Sequence, residues 1–581
     1  MNSTIDPITT EVIRNAFYAI ADDVSAVLNR SSYSPVIYES HDYGISIYNE
    51  KVQLLAQAPG TPYFTGGLEA AVEAIVDKYG LANMKEGDVF VVNDTYIVGA
   101  HLNDVDIVSV YAYEGGPVGF GAIRAHWSDV GAATPGHPAG TTEIYQEGIR
   151  IPPIRIMQGG EFISDVVDLL VLNSRLPKTL MGDMNAMVAA ARMGERRYLQ
   201  LIDRFGLDVI RQATQDIFDV TEANYREFIS SIPDGVYEEE GYIDNDGVTD
   251  DPVLVRVKVT IAGDEITVDT RGSDKQHAGN INTGLPSTKA MAKLALAFLY
   301  PSPVPEVNHG SFIPVHLIAE RASIFWAQEP AGGMRPIPVM MLLDLIFKAL
   351  APAIPDRVVA GLPGDSWNLE VYGRDPDTGE FWMGGESMNG GWGASSGVDG
   401  VSAITHSVAG DFRNSPVETQ ESRSPILVRR LQMGVDTGGA GKWRGGLNTI
   451  KEYETLIDVT FQAHFERTKT PQWGLFGGHT GSIPQVTIHP PGDEPPYEVL
   501  KTSGILLKKG SRIVARTGGG GGYGNPLERD PEKVRWDALE GYISLEAARD
   551  EYGVALDPQT LEIDTKKTTQ LRRGVKSLLD P

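Results

Sequence analysis

The sequence predicts a mixed α and β protein of several packed units, with largely antiparallel sheets and a β-rich C-terminal region. Three observations predict it. The chain has 581 residues, more than one hydrophobic core holds, since roughly 100–200 residues fill a domain. Apolar residues recur at helical spacing in some stretches and in short β-like runs in others. The β-like runs come in pairs around short turns, the pattern of antiparallel hairpins.

The elements follow in order. Residues 7–30 (PITTEVIRNAFYAIADDVSAVLNR) place Ile13, Phe17, Ile20, Val24 and Leu28 at helical spacing, with Pro7 and the threonines at the start. GISIYNE and KVQLLAQAP read as strands turning at Asn49–Glu50, 66–80 as a helix and VFVVND as a strand. Residues 106–113 and 118–126 form a hairpin around EGGP at 114–117. A long helical stretch covers 176–231, and VLVRVKVTIAGDEITVDTRG is a second hairpin turning at Gly263–Asp264. KAMAKLALAFLY and MLLDLIFKALA read as helices on either side of the proline-rich PSPVPEVNHG. From about 410 short strands and glycine turns dominate. These textures divide the chain into 1–175 (helix, then strands), 176–232 (helical), 233–409 (mixed), 410–526 (strands and glycine turns) and 527–581, a charged tail that wraps the surface.

Composition excludes whole classes. The formal charge of −27 repels phosphate backbones and anionic bilayers, so neither nucleic acid nor membrane is an expected partner. The N-terminus lacks the apolar core of a signal peptide, and the most apolar window, 340–354, is interrupted by Asp344 and Lys348. A cytoplasmic location is expected. Cysteine is absent, which removes disulfides, iron–sulfur clusters, thiolate zinc sites and cysteine nucleophiles together. A metal, if held, must be held by histidine and carboxylate, and there are eleven histidines.

One stretch gathers such residues. GAHLNDVDIV (99–108) carries His101 and Asp104, and RAHWSDVG carries His126. With the turn at 114–117, His126 lies across from about position 105, so His101, Asp104 and His126 converge at one end of the hairpin. Asp42, just before a strand in ESHDYGIS, is a fourth candidate; His41 and Asp129 rank lower. Two imidazoles and a carboxylate suit a divalent cation with open positions. On spacing alone the alternative stays open: two hydrogen-bonded interior histidines.

The other signals point to structure. Glycine clusters at NGGWG (389–393), TGGAGKWRGG (437–446) and TGGGGGYG (517–524). A phosphate loop needs GxxxxGK followed by Ser or Thr; here Gly441–Lys442 precedes Trp443, Asp436 stands where the first glycine belongs, and the last run has no lysine. Close passage of backbone by backbone explains the glycines better. His137, His309, His464 and His479 are expected to be structural. No GxSxG elbow occurs, and Ser287 with Lys289 does not match SxxK.

Several longer motifs carry a resemblance. NDTYIVGAHLNDVDIV, AHWSDVGAATPG, TTEIYQEGIRIPPIRI, NGGWGASSGVDGVS, NSPVETQESRSPILVRR, DTGGAGKWRGGLNTIKEYE and TGGGGGYGNPLERDP together resemble the hydantoinase B family across essentially the whole chain. The resemblance implies a division of labour. A hydantoinase A-type partner, in a two-plus-two heterotetramer, would carry ATP and Mg and phosphorylate a substrate oxygen. The B-type chain would hold one divalent metal, Mn, Zn or Fe, through His101, Asp104 and His126. Asp42 would be an added ligand, and Asp42 or Asp129 a base; Glu147 matches a family-like position without a role. The implied reaction is ATP-dependent opening of a small cyclic amide such as a hydantoin, oxoproline or lactam. The alternatives are one component of a ketone carboxylase of acetone or acetophenone type, and a non-catalytic scaffold completing the partner's site.

Overall fold

A computed structural model describes residues 5–136, 138–302, 306–333 and 335–579, with side chains to Arg573. His137 and the 303–305 part of the proline-rich loop lie outside the described residues. The five textures of the sequence fall into two units. The first is Met1–Gly241, Asn245–Leu343 and Val408–Ser415; the second is Tyr242–Asp244, Asp344–Ser407 and Pro416–Pro581.

The first unit is built on helix α1 (Pro7–Ser31) and a seven-stranded sheet. Asp6 caps α1 by accepting from Thr9 N at 3.2 Å, and Pro7 sits where no amide partner is needed. The sheet comprises β1 (Tyr43–Asn49), β2 (Leu54–Gln57), β3 (Val89–Val92), β4 (Asp104–Tyr113), β5 (Gly116–His126), β6 (Ile154–Gln158) and β7 (Glu161–Phe162), in the order β2-β1-β5-β4-β3-β6-β7. Every pairing is antiparallel.

Alternation along β4 sends side chains to two cores. Val105, Ile107 and Tyr111 pack with α1 and with the long helix Pro177–Phe205. Val108, Val110 and Ala112 face the other way, onto Leu68, Ala71, Val72 and Ile75 of α2 (Leu68–Tyr79). Both faces are therefore buried, and a charged side chain inside the strand needs a partner. A smaller sheet follows: β8 (Gly235–Ile243), β9 (Val253–Ala262), β10 (Glu265–Asp269) and β11 (Val315–Ile318), with β10 and β11 parallel.

The β4–β5 register is one residue from the expected one. His126 faces Asp104, not position 105. The turn is the two residues Glu114 and Gly115, both with positive φ (50° and 86°), as a tight primed turn requires. An irregularity at Tyr111/Ala112 then shifts the pairing by one.

In the second unit two antiparallel sheets enclose a core of Trp367, Leu369, Phe461, Val486 and Ile513. Its first strands, Asn368–Arg374 and Phe381–Ser387, pair as a hairpin within the stretch expected to be mixed. The three glycine clusters lie against one another. Gly391 N donates to Gly518 O (3.0 Å), Gly446 N to Trp392 O (2.8 Å) and Gly520 N to Gly446 O (2.9 Å). None of Gly519, Gly520 and Gly446 has positive φ. A methyl on Gly519 would overlap the Thr437 carbonyl oxygen, and one on Gly520 that of Trp392. Close approach, not backbone freedom, selects glycine here. In the charged C-terminal segment Val534, Ala548, Tyr552 and Val554 form a core with Ala440, and Arg529 is buried between Asp399 and Asp537.

Candidate metal centre

Three strand ends and one turn deliver the candidate residues. Asp104 opens β4 and His126 closes β5 as one rung. The chain before β4 turns back tightly, Asp104 N donating to His101 O at 3.0 Å, so His101 lies beside the same rung. Asn93 Nδ2 holds the Leu102 carbonyl at 2.7 Å, and Asn103 Nδ2 holds that of Trp127 at 2.8 Å. Asp42 precedes β1, and its carbonyl accepts from His126 N at 3.1 Å. Three separate stretches of the chain thus reach one place, Asp42, Asp104 and His126 through sheet pairing and His101 through the turn before β4.

The geometry is close. His126 Nδ1 is 2.9 Å from Asp104 Oδ1, and His101 Nε2 is 3.3 Å from Asp104 Oδ2. The two imidazoles meet edge to face, centroids 5.2 Å apart. One ligand atom from each of His101, Asp104 and His126 lies within 4.8 Å of the others. Asp104 is fully buried, and its Oδ2 accepts no hydrogen bond among the described residues. A buried carboxylate oxygen that accepts no hydrogen bond, beside two imidazoles, is a donor set that could hold a divalent cation. Asp42 Oδ2 stands 4.0 Å from His126 Nδ1, adjacent to this trio.

The two carboxylates differ electrically. Burial pushes Asp104 up, but His101, the hydrogen bond and charge of His126, and Arg124 together hold it below the usual carboxylate range. Burial pushes Asp42 up to about 7; His126 and Thr61 pull it down and Asp104 adds to the rise. One is a standing anion. The other gains and loses a proton near neutrality.

The remaining candidates are engaged elsewhere. Asp129 is buried and accepts from Arg175 Nη1 (2.6 Å) and Arg175 N (2.5 Å), outside the trio. His41 pairs with Asp411 at 2.7 Å. Glu147 is buried and accepts from Thr141 Oγ1 and Gly333 N, both at 2.7 Å. His309 packs on Phe218, His479 meets Glu551 in the open, and His464 is buried in a strand. Ser287 Oγ donates to Gly99 O at 2.8 Å, and Lys289 lines a cleft of about 470 Å³ with Glu69 and Glu73.

Sequence reasoning missed Arg124 and Asp106, a buried ion pair on the rung next to Asp104–His126. The signal was there: Asp-x-Asp and Arg-x-His at the ends of two otherwise apolar strands, on one face.

Fold and site define a chain with a histidine–carboxylate centre at the end of an antiparallel sheet and glycine loops given over to backbone packing. It belongs to the hydantoinase B/oxoprolinase family, whose sequence profile matches residues 6–526. It is 33% identical to the B-type subunit of a putative D-/L-hydantoinase from Pseudomonas sp. (strain NS671), over 98% of each chain. The crystal structure of an ATP-dependent caprolactamase from Pseudomonas jessenii superposes with a TM-score of 0.91 at 28% identity, covering 98% of this chain and 100% of that one. An acetone carboxylase structure shares the fold, with a TM-score of 0.90 at 18% identity over 99% and 84%. No helix among the described residues is long and apolar enough to cross a membrane.

Proposed function

We propose that this chain is the metal-binding B-type subunit of an ATP-dependent cyclic amide hydrolase, working on substrate whose amide oxygen an ATP-binding A-type partner has phosphorylated. The His101–Asp104–His126 group carries the proposal. The likeness to a hydantoinase component and to a caprolactamase supports the substrate class.

A divalent cation held by His101, Asp104 and His126 supplies Lewis acidity toward a reacting oxygen. The residues supply the rest. Asp104 stays ionised and orients both imidazoles from within the sheet. Asp42, titrating near 7 beside His126, accepts the proton of the attacking water. The ring C–N bond of the tetrahedral adduct would then break, the nitrogen taking the proton held by Asp42, and the acyl phosphate left behind would be hydrolysed by a second water to the carboxylate and inorganic phosphate. Asp129, held by Arg175, anchors the segment after β5 instead of sharing this task.

The test is to purify the chain with its ATP-binding partner and follow ADP release with hydantoin, 5-oxoproline and caprolactam, and with acetone or acetophenone plus bicarbonate. The expected result is ring opening coupled to ADP release with one of the amides. ADP release only with ketone and bicarbonate would replace this reading with a carboxylase. A chain without bound metal that also keeps full activity when His101, Asp104 and His126 are all replaced would leave a scaffold.

A further inference from the structure

Directly behind the ligand rung is a second charged rung that the chemistry above does not use. Asp106 and Arg124 face one another across β4 and β5, two residues from Asp104 and His126 and therefore on the same sheet face. Arg124 Nε and Nη2 donate to Asp106 Oδ1 and Oδ2 at 2.6 and 2.7 Å, a bidentate pair with both side chains fully buried. The next rung, Val108 and Ala122, is already apolar core.

Such a pair is a poor way to stabilise a core. Desolvating two charges costs about as much as their attraction returns, and apolar residues of similar volume do as well or better. Its third contact is more informative. Arg124 Nη2 also donates to Val98 O at 3.3 Å, the last residue of α3 (Thr95–Val98). The chain then turns through Gly99, at φ 82°, and reaches His101 two residues later. The Gly99 carbonyl is held in turn by Ser287 Oγ at 2.8 Å, itself 3.2 Å from the Tyr63 hydroxyl. A methyl on Gly99 would crowd Ser287 N, so the turn is clamped from both sides.

We infer that Arg124, braced by Asp106, is a positioning residue for the metal centre. It ties the turn that carries His101 to the rung that carries Asp104 and His126, with Ser287 as a second clamp on that turn. Of the three ligands, His101 alone comes from outside the β-ladder, and these bonds set its place. The inference rests on the reading of the trio as a metal centre.

The experiment uses the complex with its ATP-binding partner and titrates Mn²⁺ and Zn²⁺ against a competing chelator. The double variant Arg124→Met/Asp106→Leu removes two opposite charges and leaves net charge unchanged. It should keep or raise the native Tm, yet lose about tenfold or more in metal affinity. Arg124→Lys keeps the charge but cannot hold Asp106 and Val98 together, and should lose affinity too. Ser287→Ala should lose less, about threefold. A folded double variant with native metal affinity, KM and kcat overturns the inference. If the double variant does not fold, native affinity in both Arg124→Lys and Ser287→Ala overturns it. Absence of metal from the native complex would defeat the earlier reading; native binding left unchanged by these variants would defeat only this one.

Discussion

The end of the β4–β5 hairpin and the glycine clusters of the second unit are the two places where the sequence invites a functional reading, and they use backbone pairing for opposite ends. In the hairpin, strand register brings side chains together: Asp104 and His126 as one rung, Arg124 and Asp106 as the next. In the glycine clusters the side chains are removed so that backbones meet, with Gly391, Gly446, Gly518 and Gly520 joined by direct amide–carbonyl bonds. A glycine-rich loop is therefore no guide to chemistry unless its amides are unspent. Here many are spent on backbone carbonyls, some within the clusters and some beyond them, as Gly520 on Gly446 and Gly519 on Ser482.

The largest expected effect tests the packing side of this contrast. Gly519→Ala places a methyl on the Thr437 carbonyl, and should cost about 3 kcal/mol or more in chemical denaturation, with the metal trio unaffected in any folded fraction. A native-like midpoint would show that the loops have slack. Next comes Asp129→Asn, which weakens the pairing of a buried carboxylate with the part-exposed Arg175. It should lower stability by about 2 kcal/mol and leave metal content unchanged; loss of metal without loss of stability would move Asp129 into the centre.

Asp42 tests the electrical side. Burial holds its carboxyl up to about 7, so below that pH the proposed base is already protonated and cannot take the proton of the attacking water. Turnover at saturating metal should therefore fall as pH drops from 7 to 6, by up to about tenfold. Asp42→Asn should flatten that slope; an unchanged slope would remove Asp42 from the site. The smallest effect is the control. Gly116 has open space around it and no positive φ, so Gly116→Ala should stay within about 0.5 kcal/mol of native. A large cost there would mean that glycines in this chain matter for reasons other than close approach.

How much of this was legible in the sequence follows the range of each interaction. The hairpin joining His101, Asp104 and His126 was readable because a short turn converts sequence distance into register. The error of one residue came from a turn centred on Glu114–Gly115 and an irregularity at Tyr111, neither of which apolar spacing reveals. The mixed, mainly antiparallel architecture was readable for the same reason. What stayed hidden depends on distant chain meeting chain. His41 finds Asp411, 370 positions on, and Ser287 reaches Gly99, 188 positions back. The hairpin at Asn368–Ser387 was missed because Phe381–Ser387 is only partly buried and lacks clear alternation. The glycine clusters were readable as close packing, but not as partners of one another.

In the proposed function His101, Asp104 and His126 hold one catalytic divalent metal. The most direct measurement is metal content and amide-dependent turnover of the His101→Ala complex beside the native one, with circular dichroism and Tm as the check on folding. The native chain should carry about one divalent metal, and the variant should lose that metal, fall in turnover by about a thousandfold or more and keep its fold. A variant that loses its metal and keeps native turnover would contradict the proposed function.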